Sequence, residues 1–178
     1  MKDTVCCFAA QGPQSLLYGY DEGNPDCIKF ILKLALEIEL MINKGCTTFI
    51  TGVDSWPEIW FAESVLDIKH AYPEKNIRLI VALPYQKKVH RLDRTYSQRH
   101  GRILSQANAV VTMAKQYHAG CVEERNQYMI AQSSHMIAVW YGKNDGIKGM
   151  IACAESSGLD IIILNHNDFK TKRKFFFT

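Results

Sequence analysis

The chain has 178 residues, 47% of them hydrophobic and 22% charged, with a formal net charge of +3. This is the size and composition of one domain with a sizeable core, and the charge is too small to indicate nucleic-acid binding by itself. No run of 18 apolar residues occurs, so no transmembrane helix is expected, and the N-terminus (Asp3 directly after Lys2) does not read as a signal peptide.

The first apolar run, Thr4 to Phe8, reads as a strand and leads into Ala9-Ala10-Gln11-Gly12-Pro13-Gln14. In this loop Gly12 permits close backbone approach and Gln11 can reach a ligand with directional hydrogen bonds. Residues 26–44 follow as a helix with a broad apolar face, closed by Gly45. A second strand at 46–51 runs into Thr51-Gly52-Val53-Asp54-Ser55-Trp56-Pro57-Glu58, where Pro57 opens a helix over 57–71. Asp54 or Ser55 could cap that helix, and Glu58 in its first turn either complements the helix dipole or accepts from ribose hydroxyls.

The third strand, 77–83, precedes the most basic stretch of the chain. Lys87, Lys88, His90, Arg91, Arg94, Arg99, His100 and Arg102 surround a single acid, Asp93. This is either a solvated loop and helix face or a rim attracting a nucleotide or nucleic-acid backbone, with Tyr85 and Tyr96 as stacking surfaces. A helix over 95–106, a strand at 108–113 and a helix over 121–133 come next. In the last of these, Arg125 and Asn126 are polar residues on an element that should pack on a sheet, and Cys121 stands near its start.

The strand 135–140 enters Trp140-Tyr141-Gly142-Lys143-Asn144-Asp145-Gly146-Ile147-Lys148-Gly149 and a helix over about 146–157, and 160–164 is the sixth strand. This glycine- and lysine-containing loop is the better phosphate-loop candidate, although it does not match the Walker pattern. None of the six cysteines forms a C-x-x-C pair, so no metal site is expected. Cysteine usage suits a reducing cytosol, and a cytoplasmic protein is expected.

Near-continuous apolar strands alternating with helices imply an α/β, Rossmann-like three-layer sandwich: a mostly parallel sheet of about six strands with helices on both faces. Ligands of such sheets bind beyond the carboxyl ends of the strands. We divide the chain into one domain, 1–166, and a basic, Phe-rich tail, 167–178, which reads as a final strand, a packed extension or a contact surface.

Several motifs resemble those of the YpsA-like branch of the SLOG superfamily, which also includes DprA-type and LOG proteins of bacteria and other organisms. The resemblance spans roughly 4–165. Cys6-Cys7-Phe8 and Pro13 match the opening C-C-F-T-G-H-R-P, with Ala9-Ala10-Gln11-Gly12 replacing Thr-Gly-His-Arg. Gly52 and Trp60-Phe61-Ala62-Glu63 match S-G-x-x-x-G-V-D-x-W-F-A-E, with Trp56-Pro57-Glu58 in place of G-V-D. Ala82-Leu83-Pro84 matches A-x-P, and Tyr117, Gly120, Cys121, Arg125, Asn126, Tyr128 and Met129 keep the whole Y-x-x-G-C-x-x-x-R-N-x-Y-M run. Trp140, Gly142, Gly146 and Gly149 keep part of W-D-G-x-x-G-G-T, whose Gly-Gly-Thr becomes Asp145-Gly146-Ile147.

The resemblance implies a pocket for a nucleotide or nucleotide-derived ligand, built here from Gln11, Gly12, Gly52, Asp54, Glu58, Arg125, Asn126, Gly142 and Gly146. The substitutions remove a cation from the first loop and add an acid to the last. The leading expectation is a noncatalytic binding protein without a cofactor. The alternatives are a degenerate paralogue acting through protein interaction and a LOG-like nucleotide N-glycosidase, with Arg125 and Glu58 or Glu155 as its catalytic pair. A homodimer is a further expectation; nucleic acid is a weaker one.

Overall fold

The computed structural model describes residues 4–10, 19–86, 93–142 and 145–175. In chain order the elements are β1 (Thr4–Ala10), α1 (Pro25–Asn43), β2 (Cys46–Thr51), α2 (Trp56–Ala71), β3 (Arg78–Tyr85), α3 (Arg94–Gln106), β4 (Ala109–Ala114), α4 (Cys121–Ala131), β5 (His135–Val139), α5 (Gly146–Ser156), β6 (Asp160–Leu164) and β7 (Thr171–Lys174). They build an α/β sandwich around one seven-stranded sheet in the order β4-β3-β2-β1-β5-β6-β7. All pairings are parallel except β6 with β7.

Alternation along β1 divides its side chains between two cores. Cys6 and Phe8 face the layer of α1, α2 and α3, with Phe30, Leu34, Phe49, Trp60, Phe61, Tyr96 and Ile103. Cys7 and Ala9 face α4 and α5, with Ile50, Met129, Met136, Met150 and Ile151. Phe8 stacks on Phe61 with ring centroids 4.2 Å apart, which ties β1 to α2. Cys6, Cys7 and Cys46 are fully buried, and burial pushes the Cys7 and Cys46 thiols up to about 12, so they act as small apolar residues.

The seventh strand comes from the stretch read as a tail. Thr171-Lys172-Arg173-Lys174 pairs antiparallel with β6, and its anchor is Glu37 of α1, a carboxylate with no solvent exposure. Arg173 Nη2 donates to Glu37 Oε2 and Oε1 at 2.8 and 3.0 Å, the Thr171 hydroxyl to Oε1 at 3.2 Å, and Lys33 lies 3.2 Å away. Phe175 is partly covered by the Lys44 ammonium, 3.7 Å from its ring centre.

Opposite its buried face, α1 exposes Ile28, Leu32, Leu36 and Leu40, one residue per turn. Among the described residues no helix is long and apolar enough to cross a membrane.

Candidate functional site

Strand order reverses at β1: β2 to β4 lie on one side, β5 to β7 on the other. At the carboxyl end of β1 lies a cavity of about 240 Å³. Phe8, Ala9 and Ala10 form its floor, Glu58 of α2 one wall, and Val122, Arg125, Asn126 and Met129 of α4 another. Gly146, Ile147 and Met150 of α5 complete it. This is where an open parallel sheet places its ligand.

The turn from β2 to α2 sets the polar side. Val53 adopts φ 63°, a left-handed conformation that costs a β-branched residue energy. It is held there by full burial and by the Tyr96 hydroxyl, which donates to the Val53 carbonyl at 2.6 Å. The turn directs the backbone N–H groups of Asp54 and Ser55 at Glu58 Oε2, at 2.6 and 2.9 Å, and the Ser55 hydroxyl adds a contact at 3.2 Å. Ser55 is the N-cap of α2, and Glu58 closes the capping box from the third helical position.

Arg125 reaches the same turn from α4. Its Nη1 donates to Asp54 Oδ2 at 2.7 Å, while Nε and Nη2 donate to Asn126 Oδ1 at 3.2 and 3.0 Å. Gly52 is the residue that permits this approach. A Cβ there would stand 2.5 Å from Arg125 Nη1 and 2.9 Å from Glu58 Oε1. Glu58 and Arg125 therefore meet where their two walls join, both against Gly52, and do not face each other across a sugar-sized gap. Burial drives the Glu58 carboxyl up to about 7; the Arg125 charge and the N–H donors only partly offset it, and Asp54 pushes the same way as burial.

A family model for the YpsA branch of SLOG proteins matches residues 15–157. The chain belongs to the YpsA family of SLOG proteins. A UPF0398 protein of Brevibacillus brevis is 24% identical over 131 residues, covering 71% of this chain and 68% of its own length. The run that stands intact against the family pattern, Tyr117 to Met129, supplies Arg125, Asn126 and Met129 to the cavity.

The structure brings Glu58, Arg125, Asn126 and Gly146 together around this cavity, with Gly52 and Asp54 behind Arg125. Gly142 lies apart, beside Trp140, Tyr141, Asn165 and Lys170 in a neighbouring depression. Gln11 and Gly12 lie outside the described residues, as do Lys87, Lys88, His90 and Arg91. Glu155 stands at the far end of α5, paired with Lys174, and cannot join Arg125 in a catalytic pair.

The final loop is not an open anion cradle. Asp145 is the N-cap of α5, and its Oδ1 takes the N–H groups of Ile147 and Lys148 at 2.9 and 3.1 Å. One further sequence expectation needs correction. Tyr96 is buried, with its hydroxyl committed to Val53, so it is not a stacking surface. Cys121 is buried at the start of α4 and presents no thiol to solvent. On α3, Arg99 binds Glu63 and Glu22 and His100 is buried, whereas Arg102, paired with Glu63 at 2.9 Å, and Arg94 stay exposed.

Trp56 packs against Tyr96 and Trp60, at 5.3 and 6.2 Å between ring centres, and is not part of the cavity lining. The apolar lining (Phe8, Ala9, Val122, Met129, Ile147 and Met150) was not singled out in the sequence. The helical spacing of Val122, Arg125, Asn126 and Met129 was the available signal.

Proposed function

We propose that this protein is a noncatalytic small-molecule receptor of the SLOG type, with a nucleotide-derived ligand in the cavity beside β1. The observation that carries this reading is Arg125, a nearly buried guanidinium held in place by Asp54 and Asn126 on the wall of a largely apolar cavity that Glu58 and Asn126 also line. A merely structural arginine needs no cavity beside it, and a few oriented polar groups in an apolar concavity describe a binding site. The volume lies below the roughly 300–1,000 Å³ of pockets for drug-sized ligands. It suits one base or nucleoside.

The geometry favours binding over glycoside cleavage. Glu58 Oε2 is spent on three donors of its own turn, and Arg125 already has a carboxylate partner. A hydrolytic pair needs one carboxylate free to face an attacking water or the leaving group. The test is a thermal-shift screen of wild type and Arg125→Ala against nucleosides, nucleoside monophosphates, cyclic nucleotides and ADP-ribose derivatives. A ligand that binds the native state raises the melting temperature. The reading requires a hit that Arg125→Ala loses and that is recovered chemically unchanged. Turnover of the hit would restore the N-glycosidase reading.

One observation favours a second reading, action through protein contact. The stripe Ile28, Leu32, Leu36 and Leu40 puts four exposed apolar residues on the outer face of α1, flanked by Lys29 and Glu39, and a contiguous exposed apolar patch rimmed by polar residues marks a contact surface. This reading predicts that Leu32→Glu changes the mass of the particle in solution while leaving ligand shifts intact.

A further inference from the structure

The cavity has the position of a nucleotide site but not its electrostatics. Phosphate groups in α/β proteins are held by helix N-terminal N–H groups and by cations. At the starts of α2 and α5 and at the guanidinium, such groups already have an anion belonging to the chain, whereas α4, whose Val122 lines the cavity, starts at Gly120 without a side-chain cap. At α5 the Asp145 carboxylate takes the N–H groups of Ile147 and Lys148. At the turn into α2, Glu58 takes those of Asp54 and Ser55. The guanidinium on the wall is paired with Asp54 at 2.7 Å. Of the carboxyl groups, Glu58 lines the cavity, Asp145 directly precedes the lining residue Gly146, and Asp54 stands behind Arg125, the one guanidinium among the described lining residues. Asp145 Oδ2 is buried and accepts no hydrogen bond among the described residues. The segment 11–18 that follows β1 contains no ionisable cation in its sequence.

What remains available is of a different kind. None of the described hydrogen bonds uses Glu58 Oε1. The Arg125 donors fix Asn126 Oδ1 as the acceptor, which leaves the Asn126 Nδ2 donors without a described partner. One acceptor and one amide donor above walls of Phe8, Ala9, Val122, Met129 and Ile147 match the edge and faces of a heterocyclic base or a nucleoside. We infer that the cavity takes a nucleoside in its uncharged form and discriminates against the corresponding nucleotide, with Asp145 occupying the place of a phosphate. This inference rests on the receptor reading above and narrows it.

Calorimetric titration of the whole chain with adenosine, guanosine, cytidine and uridine, each beside its 5′-monophosphate, tests it. We expect at least one nucleoside to bind about tenfold or more tightly than its monophosphate, the effect of one unfavourable charge contact. Asp145→Gly frees the two N–H groups and should move the preference toward the monophosphate by about tenfold or more. Asp145→Asn keeps a cap acceptor and removes the charge, so it should narrow the discrimination while holding the helix should the glycine variant fold poorly.

A wild-type protein that prefers the monophosphate overturns the inference while leaving the receptor reading in place, and so does discrimination unchanged in Asp145→Asn. Silence of every compound with wild-type protein removes the receptor reading itself, and this inference with it.

Discussion

Glu58 gives the most quantitative test of the site. Its carboxyl is raised from an ordinary 4.5 to about 7, first by burial and then by Asp54, against the pull of Arg125 and the N–H donors. The sign follows from linkage. Between about 4.5 and about 7 the folded chain holds a proton that the unfolded chain has released, so stability falls as pH rises through that window. Below it, both states are protonated and the group costs nothing. Above it the full penalty is present, on the order of 3 kcal/mol at roughly 1.4 kcal/mol per unit.

Glu58→Gln imitates the protonated group, since its amide oxygen can still accept from Asp54 and Ser55. Urea unfolding of both proteins at intervals from pH 4.5 to 8.5 should give similar stabilities at the acid end. The curves should then diverge, the variant becoming more stable by about 2–3 kcal/mol at pH 8. Titrating groups that do not interact with Glu58 contribute equally to both curves and cancel in the difference. Parallel curves across the whole range would refute the account of a desolvated, partly uncompensated carboxylate.

Other substitutions probe the same framework. Gly52→Ala forces a Cβ to within 3 Å of Arg125 and Glu58, and chemical denaturation should show a loss of about 1–3 kcal/mol, with Arg125→Ala relieving part of it in the double variant. Arg173→Ala leaves the buried Glu37 carboxylate without its bidentate partner; about 3 kcal/mol should be lost in urea unfolding, and Glu37→Gln on that background should recover some of it. Deleting residues 167–178 removes β7 together with that partner and opens the edge of β6. The truncated chain should melt well below the full one and elute as aggregate in size-exclusion chromatography.

The six apolar strands and five helices were legible because each carries one clear period or one continuous apolar run, and the observed ends lie within a few residues of the expected ones. The seventh strand stood only as one of several readings of the tail, because Thr171-Lys172-Arg173-Lys174 has little strand propensity of its own. It exists through pairing with β6 and through Glu37, 134 residues upstream of Thr171. The candidate site shows the same division. Arg125 and Asn126 were noticeable as polar residues on a packing helix. Nothing local tells that Arg125 binds Asp54 or that Tyr96 holds Val53, whereas the spacing Ser55-x-x-Glu58 carries the capping-box signature by which Glu58 turns toward its own N-cap.

Asp145 illustrates why residue type alone leaves the function of such loops open. An acid after a glycine-containing turn reads equally as an intruder in a phosphate loop and as an ordinary helix cap. The structure joins the two readings, because capping α5 consumes the N–H groups on which a phosphate would rest. Glu58 does the same for α2 from within the helix, by a side chain that turns back. The starts of α2 and α5 thus carry internal anions, and the arginine beside the cavity is matched by a third in Asp54. A site emptied of purpose by drift has no reason to retain a buried guanidinium beside an open apolar cavity. A site that binds phosphate has no reason to fill its own anion positions. A pocket that selects an uncharged ligand requires both features together.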